Sequence, residues 1–401
     1  MHIVIIGGGI AGLYCAHKLI QSPDAPQVTI LEAGERLGGR IHTIHKHAFV
    51  YEGGAGRFTN KHKLLLSLIK DLGLQDKIFP MKSPKLYIKD TTPLLDFDEE
   101  SFIQKLIKAA AKRSPHEMKS KTLSMFMREI FLPSEVDDFI YASGYQSEFE
   151  VCNAYHALHH LKDNLMAKDH FGLAGGLSTI VDALYATLVD AGVRIKLNTP
   201  VHDFDPVSMT VRYPTGSIKA DRVILCVTKD KLVRFDKLIL YDDQLSKTLA
   251  TIQTRPLYRI YAKFPCSATH PAWFKDLPRI STNNALRQII PIDATKGLVM
   301  LSYTDGLWAE AWAQLEPKNL KKELMRHLRL LFPDRKIPEF EWIDAIYWEH
   351  SAHYPKPNYT PYSQPHANKY IVCGEVVTSK NNGWIEGALM ASQAGLQKLL
   401  L

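Results

Sequence analysis

A chain of 401 residues is too long for one ordinary core and fits two domains, or one domain interrupted by an insertion. Hydrophobic residues make up 46% and charged residues 23%, an ordinary globular mix that sets intrinsic disorder aside. The net charge of +7 is scattered along the chain rather than gathered into a stripe, which argues against a nucleic-acid partner.

The chain starts directly in an apolar strand, with no charged leader before it. No apolar run reaches the roughly 18 residues of a membrane span, and the tail Gln397-Lys398-Leu399-Leu400-Leu401 is too short to anchor anything. The five cysteines, Cys15, Cys152, Cys226, Cys266 and Cys373, are odd in number and contain no CxxC pair. They point to a reduced compartment and to no structural metal. A cytoplasmic protein without membrane contact is the expectation.

Ile3-Val4-Ile5-Ile6 is a continuous β-branched run, as a strand buried on both faces requires. Residues 11–21 carry apolar positions at helical spacing, and Val28-Thr29-Ile30-Leu31 is the next strand, giving a βαβ unit. Residues 60–74 read as a helix, with Leu64, Leu65, Leu68 and Ile69 on one side. A polar helical stretch over 96–169 follows, broken at Lys112-Arg113-Ser114-Pro115. Within it, residues 100–112 read as a basic helix with Phe102, Leu106 and Ile107 on one buried side, in preference to a membrane or partner surface. His156 and His160 share a helical face, but without a third ligand a polar or core role is preferred over a metal site. After Gly175-Gly176 a helix runs to about Val189, and strands recur at Val193-Arg194-Ile195, Thr210-Val211-Arg212-Tyr213 and Arg222-Val223-Ile224-Leu225-Cys226-Val227. Tyr370-Ile371-Val372-Cys373 is a last strand before a glycine-rich turn and a helix. The expected architecture is α/β: a Rossmann-like domain assembled from residues 1–80, 170–235 and 341–401, with an α+β domain inserted as 81–169 and 236–340.

Gly7-Gly8-Gly9-Ile10-Ala11-Gly12 fits G-x-G-x-x-G between a strand and a helix, and Glu32 closes the second strand at the expected distance. Gly7 permits the tight turn, Gly9 admits a pyrophosphate close to the backbone, and Gly12 lets helix and strand pack. The helix N-terminus faces the phosphates with its partial positive charge. Glu32 can accept from a ribose hydroxyl and would repel a 2′-phosphate, which sets NADP aside.

Glu32 is followed by Ala33, then Arg36-Leu37-Gly38-Gly39-Arg40, and the string Glu-x3-Arg-x-Gly-Gly-Arg resembles the signature of the flavin-containing amine oxidases. Near the carboxyl end, Cys373-Gly374-Glu375-Val376-Val377-Thr378 and Gly383-Trp384-Ile385-Glu386-Gly387-Ala388 resemble that family's closing motif, and Pro200-Val201 opens a similar strand-turn-strand element. The resemblance implies FAD held non-covalently by Gly7, Gly9, Ile10, Ala11, Gly12, Glu32, Ala33, Arg36, Gly39, Arg40, the loop Gly54-Ala55-Gly56-Arg57, Val201, Gly374, Glu375, Gly383, Trp384, Ile385 and Ala388. Where monoamine oxidases place a tethering cysteine, this chain reads His350-Ser351-Ala352-His353-Tyr354.

Within the family, an arginine in the loop Glu52-Gly53-Gly54-Ala55-Gly56-Arg57-Phe58, with His62 behind it, is similar to the L-amino-acid oxidases, where it clamps the substrate carboxylate; a guanidinium offers two parallel donors. Trp384 takes the place of the aromatic residue beside the flavin, and the opposite wall comes from Tyr347, Trp348, Tyr354 or Tyr362. Arg259 aligns with the lysine that usually holds a water near the flavin; Lys263 is the alternative in a shifted register. The implied reaction is oxidative deamination of a small amine or L-amino acid: hydride passes from the α-carbon to the flavin, the imine hydrolyses, and oxygen gives hydrogen peroxide. Expected partners are the amine or amino acid and molecular oxygen, with a homodimer left open. The rival readings are a desaturase or porphyrinogen-type oxidase, and a non-catalytic partner-binding protein on the same scaffold.

Overall fold

The computed structural model describes residues 1–81, 84–95, 97–165, 167, 169–364, 369–378 and 380–399. Asp96, Met166 and Lys168 of the polar stretch, and Leu400 and Leu401 of the tail, lie outside the described residues. The chain forms two compact units: unit 1 is Met1–Met81, His159–Gln253 and Tyr359–Leu401, and unit 2 is Lys82–Leu158 and Thr254–Asn358.

Unit 1 is built on β1 (His2–Ile6), α1 (Ile10–Ile20), β2 (Gln27–Leu31), α2 (Lys63–Asp71), α3 (Ser178–Asp190), β3 (Arg194–Lys196), β4 (Arg222–Leu225), β5 (Tyr370–Val372) and α4 (Ile385–Leu399). The five strands form one parallel sheet in the order β3-β2-β1-β4-β5. Ile3, Val4, Ile5, Val223, Ile224 and Leu225 are fully buried, because a parallel sheet is covered on both faces. Alternation sorts them: Ile3, Ile5 and Ile224 pack with Leu13 of α1, Leu184 of α3 and Leu389 of α4, whereas Val4, Val223 and Leu225 pack with Phe204, Val211, Leu238 and Leu245 on the other face. The antiparallel strands Asp203–Asp205, Thr210–Tyr213 and Gly216–Lys219 form the expected strand-turn-strand element.

Unit 2 carries a seven-stranded sheet in the order Trp342–Pro355, Ile252–Lys263, Leu298–Asp305, Gln288–Asp293, Arg279–Thr282, Lys85–Lys89, Thr92–Pro93. Its core gathers Ile260, Phe264, Phe274, Leu301, Leu324 and Leu328. The helix Glu99–Ala110 is N-capped by Asp98, whose side chain accepts from the Ser101 N–H. It buries Ile103 and Leu106, and Phe102 stacks between Phe131 and Phe139 at 3.9 and 4.3 Å between ring centroids. The break expected at 112–115 is the start of the helix Pro115–Lys119, with Ser114 as its N-cap. Among the described residues, no helix is long and apolar enough to cross a membrane.

The unit boundaries fall elsewhere than composition suggests. Residues 236–253 go with unit 1, because Leu238, Leu245 and Leu249 fill the second face of its sheet. Residues 341–358 go with unit 2, because Trp342–Pro355 is the edge strand of the seven-stranded sheet. Residues 159–169 go with unit 1, where Asn164 bonds to His62.

Candidate active site

The turn from β1 into α1 leaves room above its backbone. Gly7 adopts φ +105°, a conformation that side chains rarely allow. A Cβ on Gly12 would collide with the Gly7 carbonyl oxygen, so helix and strand pack backbone to backbone there. A Cβ on Gly9 would meet nothing nearer than the Gly39 Cα at 3.9 Å. Gly9 is the N-cap of α1 and offers no side-chain acceptor to the N–H groups of the first turn. Glu32 braces the turn, with its carboxylate accepting from the Gly8 N–H at 2.6 Å and the Gly34 N–H at 2.8 Å.

Arg36 sits beside this cradle but spends its donors on the loop itself, bonding the carbonyls of Leu37, Gly39 and Ile41 at 3.1, 2.7 and 3.0 Å. It therefore shapes the Gly38-Gly39 bend. Arg40 reaches across to Glu375, Nη1 to Oε1 at 2.5 Å, and Glu375 Oε2 accepts from the Gly383 N–H at 3.0 Å. Glu375 is almost wholly buried while the Arg40 side chain stays partly exposed, and this charge-assisted pair joins the two distant motifs. Gly374 lies opposite Ala11, with a Cβ on it 4.0 Å from the Ala11 Cβ. The loop carrying Ala55 is pinned by its N–H to the Arg40 carbonyl at 2.9 Å, and Gly54 has no room for a side chain against that carbonyl. Val201 packs against the second face of the sheet, close in sequence to Thr199, whose N–H bonds the Glu32 carbonyl. Ala33 is exposed.

Arg57 precedes the short strand Phe58–Thr59, which pairs with His170–Leu173 and buries Phe58 completely. Its guanidinium carbon lies 5.9 Å from the centre of the Trp384 ring, within cation–π range. Trp384 is held by two histidines. Its indole N–H donates to His160 Nε2 at 2.5 Å, and the His62 ring meets it edge-on at 5.0 Å. His62 bonds Asn164 Oδ1 through Nε2 at 2.9 Å, and Asn164 in turn donates to Asn381 Oδ1 at 2.9 Å. That order puts the proton of His62 on Nε2. Burial holds the His62 imidazole below its usual range, although the Asn164 bond works the other way.

Behind Trp384, Glu386 caps α2: its carboxylate accepts from the Leu64 and Leu65 N–H groups at 3.0 and 2.9 Å. Burial raises its pKa, opposed by those same N–H bonds. Glu386→Ala would strand two donors, and we expect it to cost about 3 kcal/mol of stability, read from denaturant unfolding. A loss of only a few tenths would show that this cap does not hold α2.

In unit 2, Arg259 is buried on the long strand Ile252–Lys263, in register with Tyr303, and its guanidinium carbon stands 4.7 Å from that ring centre. Burial works against its charge, but the phenols of Tyr303, Tyr261 and Tyr145 more than offset this, so Arg259 keeps its proton. Lys263 is engaged with the Phe264 carbonyl at 2.7 Å and with Glu341 at 2.9 Å, as an ion pair at the strand end. Burial, with Asp305 and Glu148 nearby, pushes the Tyr354 phenol well above its ordinary value. Tyr347 is exposed and meets Tyr258 edge-on. Tyr362 belongs to unit 1, where its hydroxyl bonds Asp242 at 2.8 Å. His156 bonds Asn153 at 2.9 Å while His160 takes the Trp384 indole N–H, so each of the two has a polar role of its own.

The sequence reading missed His160, Asn164 and Asn381 as supports of Trp384. They carry no motif, and only the fold brings residues 160–164 to residues 381–384.

Residues 10–394 match the family described as flavin containing amine oxidoreductase, and the chain belongs to it. An L-amino-acid oxidase of Bothrops pauloensis is 25% identical over 322 residues, 69% of this chain and 61% of that protein. A coproporphyrinogen III oxidase of Bacillus subtilis (strain 168) is 37% identical over 91 residues, 22% of this chain and 19% of that protein. Both matches therefore span less than two thirds of the relative's length. A putrescine oxidase redesigned in its cofactor binding superposes with a TM-score of 0.80 at 16% identity, covering 100% of this chain and 98% of that one, which shows the same α/β fold. The family's name indicates a flavin, and the residues fit one: an open glycine turn, an uncapped helix N-terminus and an acidic brace at the end of β2 suit a dinucleotide.

Proposed function

We propose that the chain is an oxidase of small L-amino acids that holds FAD non-covalently and converts substrate, water and oxygen into a 2-oxo acid, ammonia and hydrogen peroxide. The observation that carries this reading is Arg57, set over Trp384 in the loop that follows the glycine cradle. A simple amine gives such an arginine nothing to bind; a carboxylate gives it two parallel hydrogen bonds.

Bound flavin supplies the two-electron acceptor and the route to oxygen. The N–H groups of Ile10, Ala11 and Gly12 would meet the diphosphate, Glu32 the adenosine ribose, and Gly383 and Ile385, at the head of α4, the ring end. Arg57 would orient the substrate carboxylate. Trp384, fixed by His160 and His62, would wall the site and exclude water, which strengthens every polar contact inside. Within unit 2, Arg259 can hold a water or an anion but cannot take up a proton, and Tyr354 is the aromatic of that unit we assign to the substrate.

Anaerobic mixing with a panel of L-amino acids and their decarboxylated amines tests this. Some amino acid should bleach the oxidised flavin band, and its parent amine should do so far more slowly. Bleaching by amines alone, or by a porphyrinogen alone, would refute the amino-acid assignment; the local likeness to the coproporphyrinogen oxidase makes the second arm worth running.

A further inference from the structure

Three of the five cysteines, distant in sequence, converge inside unit 1. Cys15 lies on α1, and Cys226 and Cys373 directly follow β4 and β5. The register Leu225↔Val372 sets those last two side by side, with the Cys373 N–H bonded to the Leu225 carbonyl at 2.8 Å. The three Sγ atoms all lie within 4.8 Å of one another, and all are free thiols. Among the described residues this is the one group of three or more His, Cys, Asp or Glu donors placed to share an ion. Cys15 and Cys373 are completely buried and belong to the apolar core, while Cys226 is partly buried and packs against it.

Three sulfurs around one ion at about 2.3 Å stand about 4.0 Å apart in a planar site and about 3.5 Å apart in the pyramid of an ion that keeps a lone pair, so the observed cluster needs to close by about 1 Å, or slightly more for the pyramid. Charge decides which ion suits it. The surroundings are apolar, so surplus thiolate charge is costly here. Copper(I) on three thiolates would leave two surplus negative charges and zinc one. Zinc would also lack its usual fourth ligand. A trivalent thiophile leaves none.

We propose that Cys15, Cys226 and Cys373 form a three-thiol site for a soft trivalent ion of the arsenic(III) class. Arsenous acid exchanges its three hydroxyls for the three sulfurs. Three As–O bonds break, three As–S bonds form, the thiol protons leave as three waters, and no oxidation state changes.

The reduced flavoprotein, treated with arsenite and desalted, is weighed as the intact chain, then unfolded in denaturant so that every thiol is reachable, and its remaining thiols are alkylated and mapped by peptide beside an untreated control. One arsenic per chain is expected, with Cys15, Cys226 and Cys373 protected and Cys152 and Cys266 labelled. Cys226→Ser should weaken arsenic binding about tenfold or more, and Cys266→Ser should leave it unchanged. The peptide map of the unaltered protein decides the matter even if Cys226→Ser fails to fold. Loss of all arsenic on desalting, protection of a different set of cysteines, or equally tight retention of zinc would overturn the proposal.

Discussion

Gly9→Ala is expected to leave the protein folded and to cut its flavin affinity by about a hundredfold or more. Within the chain the added methyl has space, since nothing stands closer than the Gly39 Cα at 3.9 Å. Gly9 also has φ −73° and ψ 177°, an extended conformation open to alanine. The protein alone therefore loses almost nothing. If a diphosphate lies on the backbone at this point, the methyl occupies its place, and a shift of the cofactor forfeits N–H bonds at the α1 terminus. Charge-assisted bonds are worth about 1.5–3 kcal/mol each, so two of them account for the loss. Gly12→Ala is the contrasting variant. Its methyl would strike the Gly7 carbonyl, with the Ile5 Cγ2 at 3.1 Å, so it should unfold the turn and lose stability and flavin together. Thermal unfolding of the apoprotein and flavin titration separate the two. A Gly9→Ala protein that binds flavin like the parent would remove the cofactor from this turn.

The parts of this design that a reader of the sequence can find are those made by neighbours in the chain. Ile3 to Gly12 announce strand, turn and helix because each step is local, and Glu32 lies one strand later. The register of the sheet is different in kind. That Trp342–Pro355 closes the seven-stranded sheet rather than joining unit 1 depends on pairing with a strand some ninety residues earlier. The support of Trp384 hides for the same reason. A lone His160 in a helix reads as any polar residue, and only the fold brings its Nε2 to the indole N–H. Glu386 is a half-legible case. Its motif was visible, but its task, capping α2 more than three hundred residues upstream, was not. The cysteines follow the rule most plainly: spacing alone showed no metal pattern, and the parallel sheet then set two of them side by side under α1.

For Arg57 the expected result is a split between two substrates that differ only in a carboxylate. Arg57→Ala should lower kcat/KM for the preferred L-amino acid by about a hundredfold, the equivalent of about 3 kcal/mol for a bidentate charge-assisted pair. The same change should alter turnover of the decarboxylated amine by no more than a few fold. Most of the loss should fall on KM, because a carboxylate remote from the reacting carbon is bound alike in ground and transition states. Arg57→Lys should recover only part of it, since an ammonium is a point charge that cannot offer two parallel donors. The aromatic partner sharpens the test. With its guanidinium carbon 5.9 Å from the Trp384 ring centre, Arg57 also steadies that wall, and truncating it loosens the wall for every substrate. Trp384→Phe is the control for this effect. It loses the indole N–H bond to His160 but keeps the carboxylate clamp, so it should slow amine and amino acid equally. If Arg57→Ala slowed both substrates alike, its part would be to support Trp384, and the preference for amino acids would have to come from elsewhere in the chain.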